Sequence, residues 1–273
     1  MRTSTFFEGV HQTPIELDGK TFKVPLFYYD GEQMTGVFPA KLSHLRKMLP
    51  DRRMVPARIA PGVGAITVTC FEYRETDIDP YNELAIGIPL NEPHFRSNFP
   101  GRAMLDAISR SQFDTWVQHL PVTTELARAG GVEFYNYPKF IAGIDFEQNA
   151  KKRSCRLTEG AEHILTLESD RISGKESEQI QLFCHLYQNL EPQSAEFKIR
   201  AHELGRSIKP GTARLSLGDR HPIAKELSDA LISTRSIAAA YSPRIEGILY
   251  GPHHGTPQVL ERLGVIREQA MAV

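Results

Sequence analysis

Two residues in this chain have the type and setting to do chemistry. The first is Lys139, which follows Pro138 in the aromatic segment GVEFYNYPKF, residues 131–140. An ammonium group normally reaches for water; among rings its charged form is disfavoured by desolvation. A neutral lysine amine attacks ketones and forms a Schiff base, whose protonated form is an electron sink. Pro138 fixes its own backbone and biases Tyr137 toward extended geometry, so the lysine is predicted at the start of a strand. The second is Glu83, in DPYNELAIGIPL, residues 79–90. It borders a segment apolar on both faces, which predicts an inward side chain, and a buried carboxyl suits acid–base work. Tyr81 and Tyr137, within these two segments, are candidate hydrogen-bond donors.

Other chemistry-bearing groups are weaker. FEYRETDIDPYNE, residues 71–83, gathers acids but lacks the spacing and central glycine of a calcium loop, so it reads as a solvated hairpin. His253 and His254 are adjacent in a loop, with no further ligand at useful spacing, and no metal is expected. PGVGAITV precedes a strand rather than a helix and fails as a phosphate loop. The cluster Lys151–Arg153 reads as a solvated turn.

The elements that must hold these residues are mostly strands. Proline and glycine, 18 and 20 residues, punctuate many short segments along 273 residues. TFKVPLFYYDGEQMTGVFPA reads as two strands joined at Asp30-Gly31, and TRSIAAAYSPRIEGILYG as two strands split by Pro243. Strands are also predicted in GAITVTCFEYRE, ELAIGIPL, QFDTWVQHL, KFIAGIDFE, HILTLESD, IQLFCHLYQNL and SAEFKIRAHELG. Helices are predicted in AKLSHLRKML, in PVTTELARAGG ending at Gly130-Gly131, in HPIAKELSDALI and in the tail from Thr256. No linker divides the chain, which predicts one β-rich domain over residues 1–273.

Hydrophobic residues make up 41% and charged residues 24%, with net charge −1. That balance offers no basic field for nucleic acid. No apolar run reaches membrane-spanning length, and no signal-peptide core opens the chain. Cys70, Cys155 and Cys184 are scattered and odd in number, which fits a reducing, cytoplasmic setting.

Several segments resemble the acetoacetate decarboxylase family. GVEFYNYPKF is similar to the family's active-site segment, with a glutamate leading to an aromatic residue, a proline and the Schiff-base lysine. DPYNELAIGIPL is similar to the segment carrying a tyrosine and the active-site glutamate. HLRKMLP after VFPAKL is similar to the early helix, and a fainter likeness runs through HPIAKELSDALISTRSI. The resemblance implies a β-rich α+β fold: a double-layered, cone-like antiparallel β-barrel with a few peripheral helices, assembling into homo-oligomers. It implies Lys139 as the imine-forming residue, Glu83 as proton shuttle, and Glu133 and Pro138 as framing residues. The substrate would be a small β-keto acid, with no cofactor. Acetoacetate decarboxylases are themselves the standard example of a lysine nucleophile activated by a cationic neighbour. Here the position of the family's second lysine is Phe140, its arginine aligns near Pro39 and its second acid near Val68. Phe140 is expected to point away from the pocket, and Arg58 or Arg74 to supply a positive group from another position. The resemblance also admits an aldolase–dehydratase acting on pyruvate or another keto acid. A barrel that binds a carbonyl ligand without turnover is the remaining reading.

Overall fold

The protein is described here by a computed structural model, which defines residues 4–17, 20–91, 101–188 and 191–251. The strands are β1 (Thr13–Leu17), β2 (Lys20–Val24), β3 (Leu26–Lys41), β4 (Val63–Thr76), β5 (Tyr81–Pro89), β6 (Gln112–His119), β7 (Gly143–Gln148), β8 (Lys152–Glu159), β9 (Glu162–Asp170), β10 (Glu178–Gln188), β11 (Glu191–His202), β12 (Gly205–Ser207), β13 (Ala213–Leu217) and β14 (Ala238–Leu249). Four short helices join them: α1 (Leu42–Met48), α2 (Arg102–Arg110), α3 (Glu125–Ala129) and α4 (Pro222–Ala230). The predicted C-terminal helix from Thr256 and the His253-His254 pair lie outside the described residues.

Seven strands, in the order β11-β10-β6-β5-β4-β3-β14, close into a barrel because β14 also pairs with β11. All neighbours are antiparallel except β6 and β10. A second sheet, β13-β9-β8-β7, forms an outer layer. Alternation along each strand sorts its side chains between two cores. On β4, Ile66, Val68 and Cys70 pack outward against the second sheet and Leu45 of α1. Phe71 and Tyr73 point into the barrel. On β5, Leu84, Ile86 and Ile88 face out and Tyr81 faces in. β5 is thus buried on both faces, as its near-continuous apolar run requires.

β3 and β14 differ from the two-strand readings of their segments. Each is one long strand, interrupted by bulges at Tyr28–Gly31 and Ser242–Ile245 that lie opposite one another. The bulges exchange faces. Leu26 and Tyr28 point into the barrel, whereas Met34, Phe38 and Ala40, also even-numbered, pack in the outer core. On β14, Tyr241 packs outward and Ile245 and Leu249 inward. An inserted residue shifts the pleat by one and so turns every later side chain to the other face. Asp30-Gly31 and Pro243 therefore bend strands rather than end them. Among helices, α4 forms within the predicted HPIAKELSDALI and buries Ile223, Ala224, Leu227 and Ala230, with Leu231 as its C-cap. α2 was not apparent in the sequence.

The cluster Lys151–Arg153 is not a solvated turn throughout. Lys151 and Lys152 are exposed, but Arg153 opens β8 inward and is only 4% exposed. Its guanidinium reaches Glu32 of β3 at 3.0 Å, Glu72 of β4 at 2.6 Å and Gln148 of β7 at 2.8 Å. It also lies over the Phe146 ring at 4.5 Å. Tyr241 donates a further hydrogen bond to Glu32 at 2.6 Å. One arginine thus pins the outer layer to the barrel. Replacing Arg153 with Ala leaves Glu32 buried without its principal cation, and should cost about 3–5 kcal/mol in urea unfolding. Lys152→Ala should change stability by less than about 0.5 kcal/mol; similar costs for the two variants would show that the buried joint is not what holds the layers.

Candidate active site

Lys139 lies not at a strand start but in an irregular segment four residues before β7. Thr124 caps α3 by accepting a hydrogen bond from the Ala127 N–H. Gly130 and Gly131 do not end this helix; the chain continues through a π-turn over Gly130–Phe134. Two bonds close the turn, from Asn136 N–H to the Val132 carbonyl and from Tyr137 N–H to the Gly131 carbonyl. Asn136 takes a left-handed backbone, φ 55°, which asparagine tolerates better than most residues. The chain then runs back along residues 120–122. Leu120 N–H donates to the Pro138 carbonyl, and Val122 N–H to Phe140, while Leu84 N–H of β5 donates to the Pro121 carbonyl. The backbones of Lys139 and Glu83 are therefore fastened to the same connecting strip.

The two side chains meet in the barrel interior. Lys139 Nζ donates to Glu83 Oε2 at 2.7 Å, with the side chains 6% and 10% exposed. Nζ also stands 5.6 Å from the Tyr81 ring centroid, within cation–π range. The lysine stem passes directly over Gly131: a Cβ there would lie 2.2 Å from Lys139 Cδ. Only glycine leaves room for that approach.

Aromatic rings surround the pair. Tyr28 and Tyr81 share a hydrogen bond at 3.1 Å, and Tyr73 packs on both. Tyr135 and Tyr137 stack with centroids 5.3 Å apart. Burial first, and the Glu83 charge second, push the phenols of Tyr28, Tyr73 and Tyr81 well above their ordinary range. Burial likewise raises Tyr137, and takes the Cys184 thiol beside it to about 12. These groups are hydrogen-bond donors, not anions. The cavity beside them is small, about 30 Å³, and opens toward solvent. Tyr28, Tyr81, Tyr135, Tyr137 and Lys139 line it, with Phe22, Val24, Leu26, Ile78, Leu126 and Leu249 as apolar wall.

The structure brings Lys139, Glu83, Tyr81 and Tyr137 together and separates the other predicted pocket residues from them. Glu133 is exposed on the π-turn. Phe140 faces the outer core. Arg74 follows Tyr73 on β4, so it projects outside the barrel, where it binds Asp30 at 2.7 Å and Glu32 at 3.4 Å. Arg58 lies outside the pocket wall, on the segment whose carbonyl accepts from Gly101 N–H. Neither arginine supplies a positive group at the lysine. Sequence reasoning missed Tyr28, Tyr73, Gly131 and Cys184. Tyr73 was open to inference, since it alternates with Phe71; the others needed the barrel closure. Among the described residues no group of His, Cys, Asp and Glu is arranged to hold a metal ion, and no helix is long and apolar enough to cross a membrane.

The family model for acetoacetate decarboxylase fits residues 12–246, and the chain belongs to that family. Its fold is shared with a solved acetoacetate decarboxylase at 15% identity and TM-score 0.56, covering 84% of this chain and 87% of the other. The Legionella pneumophila acetoacetate decarboxylase aligns at 13% identity and TM-score 0.56, covering 84% and 86%. The enduracididine biosynthesis enzyme MppR, in a complex with pyruvate, aligns at 13% identity and TM-score 0.53, covering 90% and 92%. No curated protein matches the chain in sequence.

The raised phenols give a pH dependence. In the unfolded chain tyrosines ionise from about pH 10, whereas Tyr28, Tyr73, Tyr81 and Tyr137 hold their protons when folded. Their contribution to stability is complete below about pH 10 and is lost as the pH climbs above it, by up to ~1.4 kcal/mol per unit for each tyrosine. Urea unfolding between pH 9 and 11.5 should show this loss, with a shallower slope in Tyr28→Phe/Tyr73→Phe. An unchanged slope in that variant would place the alkaline lability elsewhere.

Proposed function

We propose that this protein is a Schiff-base decarboxylase acting on acetoacetate or a related β-keto acid. The observation that carries the reading is the buried contact between Lys139 and Glu83 at the wall of an aromatic pocket. Glu83 takes a proton from the ammonium, and the freed amine attacks the keto carbon. Loss of water from the carbinolamine gives a protonated imine. The bond to the carboxylate then breaks, carbon dioxide leaves, and its electron pair moves through the new C=C bond onto nitrogen to give an enamine. Glu83, having given its first proton to the departing water, takes one proton from solvent and passes it to the terminal carbon; water adds to the resulting imine, and the ketone departs from Lys139. One solvent proton is consumed per turnover, as the conversion of a keto acid anion to a ketone and carbon dioxide requires, and Glu83 relays it. The lysine supplies the electron sink, so the scheme calls for no cofactor.

A pyruvate-type aldol condensation would begin with the same imine and differ only after the enamine forms. The fold shared with MppR keeps that outcome in the test. Incubation with acetoacetate followed by borohydride should place a reduced adduct on Lys139, absent in Lys139→Ala, and carbon dioxide with acetone should accumulate without reductant. Adduct without carbon dioxide, but with a condensation product when an aldehyde is added, would replace decarboxylation by aldol chemistry. No adduct with any of a panel of keto acids would leave a ligand-binding barrel.

Gly131→Ala tests the positioning. The added methyl must displace the lysine stem. Turnover should fall about 100-fold, the scale set by a misplacement of roughly 1 Å, while the fold persists by circular dichroism. Undiminished turnover would mean that Lys139 reacts from a different position.

A further inference from the structure

Five tyrosines lie within or beside the pocket, and three of their hydroxyls have hydrogen-bond partners. Tyr28 and Tyr81 bond each other. Tyr135 donates to the Leu249 carbonyl at 3.3 Å. Tyr73 lies near Glu83, whose charge adds to burial in keeping its phenol protonated. Tyr137 differs: its residue is 5% exposed, and its Oη is buried without a hydrogen-bond partner among the described residues. The Cys184 thiol is near, but it is a weak acceptor and does not complete a bond to the hydroxyl. A buried, unpaired hydroxyl is costly, and such groups in folded proteins call for an explanation. Tyr137 sits two residues before Lys139, its ring locked against Tyr135 and its N–H bonded to Gly131. Both it and Lys139 line the pocket.

We propose that the Tyr137 hydroxyl donates the hydrogen bond that holds the carboxylate of a substrate bound at Lys139, and that the pocket selects a 3-oxo acid with an apolar chain. This rests on the Schiff-base reading and names its substrate class. No arginine lines the pocket among the described residues, and Lys23, which does line it, is solvent-exposed. A carboxylate there meets a neutral phenol, which its own charge turns into a strong donor bond. Beyond the polar end, the wall is Phe22, Val24, Leu26, Ile78, Leu126 and Leu249, which rewards alkyl rather than polar substituents. Tyr137 is thereby a specificity residue that contacts substrate without exchanging its proton.

Tyr137→Phe removes only the oxygen. Without ligand, the variant should melt at the same temperature as the parent or higher, since an unpaired buried group has been deleted. The concentration of 3-oxohexanoate giving half-maximal borohydride trapping should rise about tenfold or more, the scale of a lost charge-assisted bond. Trapping of 2-pentanone, which lacks a carboxylate, should be unchanged. The unmodified protein should half-saturate with 3-oxohexanoate at roughly a tenth of the acetoacetate concentration, as two additional buried methylenes require. Titration calorimetry with hexanoate reads carboxylate binding apart from imine formation. Hexanoate binding that is lost in Tyr137→Phe, with no adduct in the parent, would retain the carboxylate site and reject the Schiff base. A clear fall in melting temperature, equal losses for ketone and keto acid, or unchanged trapping would overturn the role of Tyr137. A preference for acetoacetate would overturn the apolar-chain selection.

Discussion

The barrel interior is organised by one requirement: an ammonium removed from water needs a counter-charge within reach. Isolated burial of such a group costs several kcal/mol even after relaxation. Glu83 meets Lys139 at 2.7 Å, and both backbones are fastened to residues 120–122, so the pair is aligned by main chain rather than by side-chain chance. The tyrosines follow from the same requirement. They fill an apolar volume with rings while offering hydroxyls to a charged centre, and burial first, with the Glu83 charge second, keeps them protonated. A second buried pair, Arg153 with Glu32, lies on the outer side of the barrel wall. The two pairs differ in completeness. Arg153 spends its donors on Glu32, Glu72 and Gln148. Lys139 has three donors, and its hydrogen-bond partner among the described residues is Glu83 alone. A saturated cation serves as a joint; an unsaturated one beside a cavity has capacity left for a ligand.

The strand-by-strand pattern of the fold was largely legible, because alternation and β-branched runs report faces directly. Two long strands, β3 and β14, were misread as pairs for a physical reason. Asp-Gly and Ser-Pro are the residues of turns, and they are equally the residues of bulges. Locally the chain does the same thing at both, leaving the pleat for a residue or two. Whether it then reverses or continues is decided by the neighbour across the sheet. Here the bulges of β3 and β14 oppose each other, so the wall bends without opening.

The site was legible to the depth of its motifs. Lys139, Glu83, Tyr81 and Tyr137 stand together because two short segments carry them, each rigid over a few residues. Arg74 shows where motif distance misleads. Tyr73 and Arg74 are adjacent on one strand, so a strand that turns Tyr73 inward turns Arg74 outward; alternation alone could have excluded it. Glu133 failed otherwise, because the π-turn carries it to the surface, and an inserted residue in a helix leaves little trace in sequence. Arg153 was hidden by its neighbours: three adjacent cations suggest solvent, yet a strand start sends alternate side chains to opposite faces.

The absence of an arginine from the described pocket wall bears on what the proposed imine would do next. Lys139 and Glu83 together carry no net charge. A keto acid bound as a protonated imine sets its carboxylate beside a cationic nitrogen, and the pocket-lining Tyr137 hydroxyl, without a partner among the described residues, is a neutral donor for that carboxylate. Loss of carbon dioxide converts both charges into neutral groups in one step. A medium that solvates ions poorly favours a change that removes them. A guanidinium at the same place would hold the carboxylate more firmly in the ground state than in the transition state, where its charge is dispersing, and binding of that kind does not accelerate the bond cleavage. An apolar pocket with neutral donors is thus suited to release the carboxylate, whereas condensation, which must keep it, gains nothing from this arrangement.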